Sequence, residues 1–144
     1  MGDLNKTMDE CISTIPECLA AALVDLTTGL LLGIRTVDSH PREVIDLVAA
    51  ATGDLFQGPN VSAIERTFRK VRGIQNEDGY HYLQEVILSS DNLLHVFFRG
   101  RANPDNVLVV VCRRAANLGM VLARAKTMIP KVEAAAAGPA AAVV

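Results

Sequence analysis

The segment 106–126 constrains this chain more than any other, because it joins an unbroken apolar run to an amphipathic one. Residues 107–112 read VLVVVC, and a short β-branched run of this kind is typical of a strand covered on both faces of a sheet. Asn117 then offers a side chain that can cap a helix. Apolar residues recur after it at steps of three and four, at Leu118, Val121, Leu122, Ala125, Met128 and Ile129. We therefore expect a central strand followed directly by a helix that packs on its sheet.

Length and composition indicate one globular domain. The chain has 144 residues, of which 50% are hydrophobic and 21% charged, and its net charge is -2. A chain of this size can bury a sufficient core without disulfides or metals. We find no basic stripe, so nucleic acid is not an expected partner. We expect the domain to span residues 1–133, with a helix that stops or bends at Pro130, and an alanine-rich low-complexity tail at 134–144.

The cysteines and the hydropathy of the sequence indicate in which cellular compartment the protein is found. The three cysteines form an odd number, which is typical of a reducing cytosol, and we expect buried or half-buried thiols rather than a metal site. The first long apolar run is cut by Asp25 and is too short to cross a bilayer, which takes about 20 residues. We expect a cytoplasmic protein with no membrane insertion.

The remaining elements follow from periodicity and turn residues. A helix is predicted at 3–14, and two strands at 19–26 and 30–35 form a hairpin whose turn contains Gly29.

A helix opens at Pro41, with Ser39 or His40 as its cap, and runs to Phe56. A second helix, with capping-box spacing between Ser62 and Glu65, ends near residue 73. Three strands at 80–88, 93–99 and 107–112 then form a meander. Hairpins and helices in separate blocks predict an α+β fold with an antiparallel sheet.

Two of these elements carry more apolar surface than one sheet needs. The helix from Pro41 has a wide apolar arc, and the strand 80–88 has neither proline nor lysine to protect an exposed edge. Burying both against a second copy would give a symmetric dimer with a continuous sheet. The predicted interface residues are Val44, Leu47, Val48, Ala51, Leu55, Tyr80, Tyr82, Gln84 and Val86.

Candidate catalytic groups are sparse. Gly53 and Gly58 have the spacing of a phosphate loop, but Pro59 and Asn60 stand where a lysine and a hydroxyl residue are needed. His81 and His95 fall on adjacent predicted strands and could approach each other, yet a third ligand or a nucleophile cannot be placed. We therefore predict no catalytic residue, no cofactor and no metal.

The order of elements and two motifs resemble the Roadblock / dynein light chain family over roughly residues 4–131. The most telling motif is VLVVVCRRAANLGMVLARAK, in which the valine-rich strand leads through Asn117 and Gly119 into the helix; the second is the hairpin DLTTGLLL around Gly29. The segment 61–79 departs from the family pattern. The resemblance implies a five-stranded antiparallel sheet in the order 2-1-5-4-3, flanked by helices, with the strand 80–88 at an edge. It also implies a non-catalytic homodimer that binds a Ras-like small GTPase or serves as a scaffold subunit.

Two alternatives stay open at this point. One is a sensing domain of profilin- or PAS-like shape, with a small molecule between the sheet and residues 61–73. The other is a small enzyme that uses His81 or His95. Gly29, Asn117 and Gly119 are predicted to be structural: Gly119 would let the helix approach the sheet, so that Gly119→Leu would lower the melting temperature through a clash.

Overall fold

A computed structural model describes residues 2–38, 42–73, 81 and 83–143, with side chains described in all of these except residues 2, 42–46 and 138–143. Within these residues there are four helices and five strands. In chain order they are α1 (Gly2–Thr14), β1 (Cys18–Asp25), β2 (Leu30–Thr36), α2 (Arg42–Gln57), α3 (Pro59–Arg72), β3 (Glu85–Ser89), β4 (Leu93–Arg99), β5 (Asn106–Arg113) and α4 (Leu118–Val143).

The five strands form one antiparallel sheet in the order β2-β1-β5-β4-β3. This confirms the predicted fold class, the predicted strand order and the central place of β5. The reason is visible along β5 itself, because Leu108 and Val110 belong to the core on one face of the sheet while Val107 and Val109 belong to the core on the other. A strand that is apolar at every position is stable only where both faces are covered.

The helices divide between the two faces. α1 and α4 pack on the first face and share its large core with β1, β4 and β5. The second face has a smaller core, to which α2 contributes Ala49 and Phe56. This second core consists of Ala22, Val24, Leu26, Ala49, Phe56, Phe97, Val107 and Val109. Among the described side chains the second core is the smaller one, and the candidate site lies on this face.

The predicted strand at 80–88 begins later than expected. β3 starts at Glu85, and Gln84 precedes it rather than belonging to it. Tyr80 and Tyr82 lie outside the described residues, as do the predicted capping residues Ser39 and His40. β3 is nevertheless an edge strand, as the resemblance implied.

The helix predicted to stop or bend at Pro130 does not end there, because α4 continues to Val143. Ile129 and Val132 on either side of the proline are 4% and 1% exposed and pack in the first core. Their burial outweighs the loss of one helical hydrogen bond. The division of the chain at residue 133 stays a prediction.

The three residues predicted to be structural have different outcomes. Gly29 has φ +73, a left-handed conformation that favours glycine, in the turn between β1 and β2. The Asn117 side chain accepts a hydrogen bond from the Met120 backbone N–H at 3.0 Å and so caps α4. Gly119 is exposed, and an added Cβ would meet only Asn117 Oδ1 at 3.4 Å. The reason given for Gly119, a close approach of helix and sheet, is therefore wrong.

Candidate functional site

The outward side of α2 carries the first part of the candidate site. Leu47 is 69% exposed and Val48 is 37% exposed. Ala51, about one helical turn after Leu47, is exposed too. Ala49 and Phe56 point the other way, into the second core, and Leu55 lies half-buried at its border. The wide apolar arc seen in the sequence is thus split between the core and solvent. The side chain of Val44 lies outside the described residues.

The second part is the free edge of the sheet at β3. Among the described strands, β3 pairs with β4 alone, and its other side is the edge of the sheet, where backbone groups can pair with a further strand. Val86 is half-buried and packs against the second core, whereas Ile87 and Leu88 are 42% and 44% exposed. Gln84 is exposed, and its Nε2 donates a hydrogen bond to the His81 carbonyl at 2.6 Å.

A hollow of about 220 Å³ lies between α2 and the sheet on the second face. Its walls are mostly aliphatic, and its polar groups come from Thr36, Asp38 and His95. The residues that line it are Leu19, Ala20, Ala22, Leu31, Ile34, Thr36, Asp38, Val48, Leu93, His95, Val109 and Val111. None of them belongs to α3, so the space predicted between the sheet and residues 61–73 is found under α2 instead.

A buried polar junction near the start of β3 escaped sequence analysis. Glu65 of α3 is 6% exposed and Arg99 at the end of β4 is 4% exposed. One carboxylate oxygen of Glu65 accepts the Leu83 backbone N–H at 3.4 Å, and the other lies 3.9 Å from Nδ1 of His81. Arg99 donates from Nε to the Leu83 carbonyl at 2.8 Å. Arg99 stands out in the sequence only as a charge that ends an apolar strand, and Glu65 does not stand out at all, because it is followed by Arg66 in a helix rich in charge.

The two histidines are not brought together. His95 pairs with Leu88 in the sheet and lines the hollow, whereas His81 lies before β3 beside Glu65. Burial is the main cause that lowers the pKa of His81 from its usual value, and the nearby Arg99 charge lowers it further. Among the described residues, no group of three His, Cys, Asp or Glu side chains could hold a metal ion. The described geometry thus gives the histidine-enzyme alternative no support.

The cysteines have the buried character expected of them. Cys11, Cys18 and Cys112 are free thiols in the first core, away from the candidate site. Burial raises the pKa of Cys11 to about 12. A thiol that stays protonated at neutral pH is a poor nucleophile, so Cys11 acts as an apolar packing group. The pKa of Cys18 is instead lowered from its usual value, mainly by a hydrogen bond with the Cys112 side chain.

Solved structures share this architecture over most of its length. A Roadblock/LC7 domain from Streptomyces avermitilis superposes with a TM-score of 0.60 at 21% identity, covering 91% of this chain and 95% of that one. The chain has the Roadblock fold. MglB of Myxococcus xanthus superposes with a TM-score of 0.65 at 18% identity over 90% of both chains. An MglB with a tetrameric arrangement gives 0.64 at 18% identity, covering 90% of this chain and 84% of that one. No protein-family model and no curated protein sequence matches the chain.

Within this Roadblock fold, the predicted site residues converge in part. Leu55 of α2 and Val86 of β3 pack against the same core, so the helix and the edge strand share one face of the sheet. Leu47 and Ala51 lie on the outer side of that helix and Val48 lies at the rim of the hollow, and all three are exposed. In the part of the chain that is described, no helix has the length and apolarity needed to cross a membrane.

Proposed function

We propose that this chain forms a symmetric homodimer through α2 and β3, and that the dimer is a non-catalytic adaptor for a Ras-like small GTPase. The observation that carries the dimer is the combination of exposed aliphatic residues on α2 with an open apolar hollow beside them and a free strand edge on the same domain. Within the part of one copy that the structure describes, nothing covers these three features.

The energetic argument concerns Leu47 and Val48. Full burial of a Leu or Val side chain is worth about 1.5–3 kcal/mol, and symmetry counts every contact twice. Pairing of two β3 strands would satisfy their outward backbone groups and give a continuous sheet. The tetrameric arrangement of an MglB supports the idea that a Roadblock fold assembles through its own surfaces.

The GTPase part of the proposal is supported by the sequence resemblance to the Roadblock family, whose members commonly serve as platforms for such proteins. In the proposed dimer the two α2 helices lie side by side and present one composite surface. The chain needs no catalytic group of its own for this role, because a platform acts by positioning the residues of the GTPase.

Oligomeric state is the first test, by analytical ultracentrifugation across a range of concentrations. The wild-type chain is expected to be a dimer and Leu47→Glu a monomer, because each interface would bury two unpaired carboxylates. Leu30→Glu is the matched control, since Leu30 is 64% exposed on the opposite edge strand β2; it is expected to leave the dimer intact. A monomeric wild-type chain at micromolar concentration would contradict the proposal.

The GTPase is tested by capture from the source lysate with the tagged chain, in parallel with a non-hydrolysable GTP analogue and with GDP. A small GTPase retained by the wild-type chain in one nucleotide state, and lost with Leu47→Glu, is the expected result. Failure to retain one in either state, with a folded and dimeric bait, would refute the GTPase role while leaving the dimer.

The hollow under α2 favours one second candidate, a small-molecule sensor. Its aliphatic walls and the three polar groups of Thr36, Asp38 and His95 fit an apolar ligand with one polar end. Binding of the dye 1-anilinonaphthalene-8-sulfonate tests this. Dye bound by the intact dimer and excluded by Val111→Trp, which fills the hollow, would favour the sensor over the adaptor.

A further inference from the structure

Two of the three free thiols lie opposite each other in the sheet. Cys18 is the first residue of β1 and Cys112 is the last but one of β5, and the two are direct partners in the antiparallel pairing of these strands. The Cα atoms of such partners are roughly 4.5–5.5 Å apart, and a disulfide requires a Cα separation of about 4.4–6.8 Å. The backbone therefore holds this pair at a distance that a disulfide can bridge.

The two side chains also lie on the same face of the sheet and touch. Both belong to the first core, and a hydrogen bond joins the two thiol groups. Cys18 Sγ donates in addition to the Ala20 carbonyl at 3.3 Å. Sulfur atoms in hydrogen-bond contact are direct neighbours, as the formation of an S–S bond requires.

The two thiols differ in acidity. The hydrogen bond with Cys112 is the main cause that lowers the pKa of Cys18 from its usual value, whereas the same bond, followed by burial, raises the pKa of Cys112. The thiolate is the reactive form of cysteine, so Cys18 is the thiol that attacks first. Cys112 then supplies the second sulfur.

Cys18 lies at the border of the core. It is 6% exposed, against 0% for Cys11 and Cys112, and it directly follows the exposed Glu17. Glu17 has φ 51, a left-handed conformation that is strained for a residue with a side chain. The pairing of β1 with β5 is irregular directly after Cys18 as well. Local opening at this end of β1 exposes the Cys18 thiol to a small oxidant while the sheet stays folded.

We propose that Cys18 and Cys112 form an oxidation site, at which a hydroperoxide converts the two thiols into a reversible disulfide between β1 and β5. The Cys18 thiolate attacks the peroxide: an S–O bond forms, the O–O bond breaks, and the leaving oxygen takes up a proton as water or an alcohol. The Cys112 sulfur then attacks the Cys18 sulfenic acid, so that an S–S bond forms, the S–O bond breaks, and the hydroxyl leaves as water with the Cys112 proton. The two thiols lose two electrons, which the peroxide gains. A transient disulfide of this kind is compatible with a reducing compartment.

Cys11 is the competing thiol and the matched control. It lies on α1 and belongs to the same core as the pair. Burial raises its pKa to about 12, so it stays protonated at neutral pH. We therefore expect Cys11 to remain a thiol when the other two are oxidised.

The pairing is tested by treating the reduced full chain with hydrogen peroxide, alkylating the remaining thiols in urea and mapping the linked peptides by mass spectrometry. Digestion with trypsin and with a protease that cleaves after glutamate separates Cys11 from Cys18, because Glu17 lies between them. The expected product is a Cys18–Cys112 link within one chain, with Cys11 alkylated, that dithiothreitol reverses. A link to Cys11, a link between two chains, or both thiols of the pair alkylated after peroxide treatment would overturn the proposal.

A second arm asks whether the fold directs the reaction. The same treatment of the chain in urea is expected to give mixed pairs, and equal proportions in the folded and the unfolded chain would overturn the proposal. Cys112→Ala removes the second sulfur, so dimedone, which traps sulfenic acids, should label Cys18 about fivefold more than in the wild-type chain. Cys11→Ala should form the link as the wild-type chain does, and circular dichroism checks that both variants fold. Equal dimedone labelling of Cys18 in Cys112→Ala and in the wild-type chain would show that Cys112 does not resolve the sulfenic acid.

Discussion

The guanidinium carbon of Arg99 lies 5.1 Å from the centre of the Phe56 ring, so a charge at the end of β4 stacks on an aromatic group at the end of α2. The same guanidinium donates to the carbonyls of Leu83 at 2.8 Å, Pro104 at 3.0 Å and Phe56 at 3.5 Å. Three separate chain segments are thus held by one side chain that is 4% exposed. The junction sets the position of α2 and of the start of β3, and therefore of both proposed interface elements.

Arg99→Met should lower the free energy of unfolding by about 3 kcal/mol, because it removes a positive charge that attracts the buried Glu65 carboxylate and takes from three carbonyls the donor that Arg99 supplies. Urea unfolding followed by circular dichroism measures the change. Arg101→Met is the control, since Arg101 is exposed and its contact to Glu133 uses the backbone N–H; it should stay within about 0.5 kcal/mol of wild type. Equal losses in both variants would show that the junction does not stabilise the fold.

Local signals made most of the architecture predictable. β5 has apolar residues at every inward position of both faces, so its central place follows from burial alone. Asn117 caps the helix that follows it by a hydrogen bond to Met120, only three residues along the chain, and a contact this local can be predicted from sequence. The hairpin around Gly29 likewise depends on neighbouring residues.

The errors share a different cause, which is contact between distant segments. Glu65 was assigned to a capping box, but α3 begins at Pro59 with Gly58 as its N-cap, and the carboxylate reaches Leu83 instead. That contact, together with Arg99, occupies the backbone N–H and carbonyl of Leu83, inside the predicted strand and just before β3 begins. The helix was expected to stop or bend at Pro130, but α4 runs on to Val143, with Ile129 and Val132 buried in the first core. No residue spacing shows such partners, which only the fold brings together.

Two glycines should respond to alanine in opposite directions. At Gly100 a Cβ would fall inside van der Waals contact of the Asn103 carbonyl and 2.9 Å from Glu133 Oε2, so Gly100→Ala should cost about 2 kcal/mol of stability. Gly119 is exposed in the first turn of α4 with room for a Cβ, so Gly119→Ala should add about 0.5–1 kcal/mol. Thermal unfolding of the two variants decides. A lower melting temperature for Gly119→Ala would restore the idea that this glycine serves close packing.

The boundary at residue 133 is tested by shortening the chain. Ala135 and Ala136 are half-buried against the first core, so a chain that ends at Glu133 should lose about 1 kcal/mol of stability. A chain that ends at Ala137 keeps both contacts and is the control, expected to unfold at nearly the wild-type urea concentration. If the shorter chain is as stable as the full one, residues 134–144 do not contribute to the stability of the fold, as their alanine-rich composition predicted.

His81 should make stability depend on pH in the mildly acidic range. Burial, aided by the Arg99 charge, holds its pKa in the folded chain below the ordinary value of 6.5, so the unfolded chain binds a proton first as the pH falls. Stability is therefore full above that value and decreases as the pH drops from it toward the lower pKa of the folded state. Between about pH 7.5 and about pH 5.5, the wild-type chain should lose more stability than His81→Gln, in which this titration is absent. Urea midpoints at the two pH values measure the difference. An identical loss in the variant would show that His81 is as easily protonated in the folded chain as in the unfolded one.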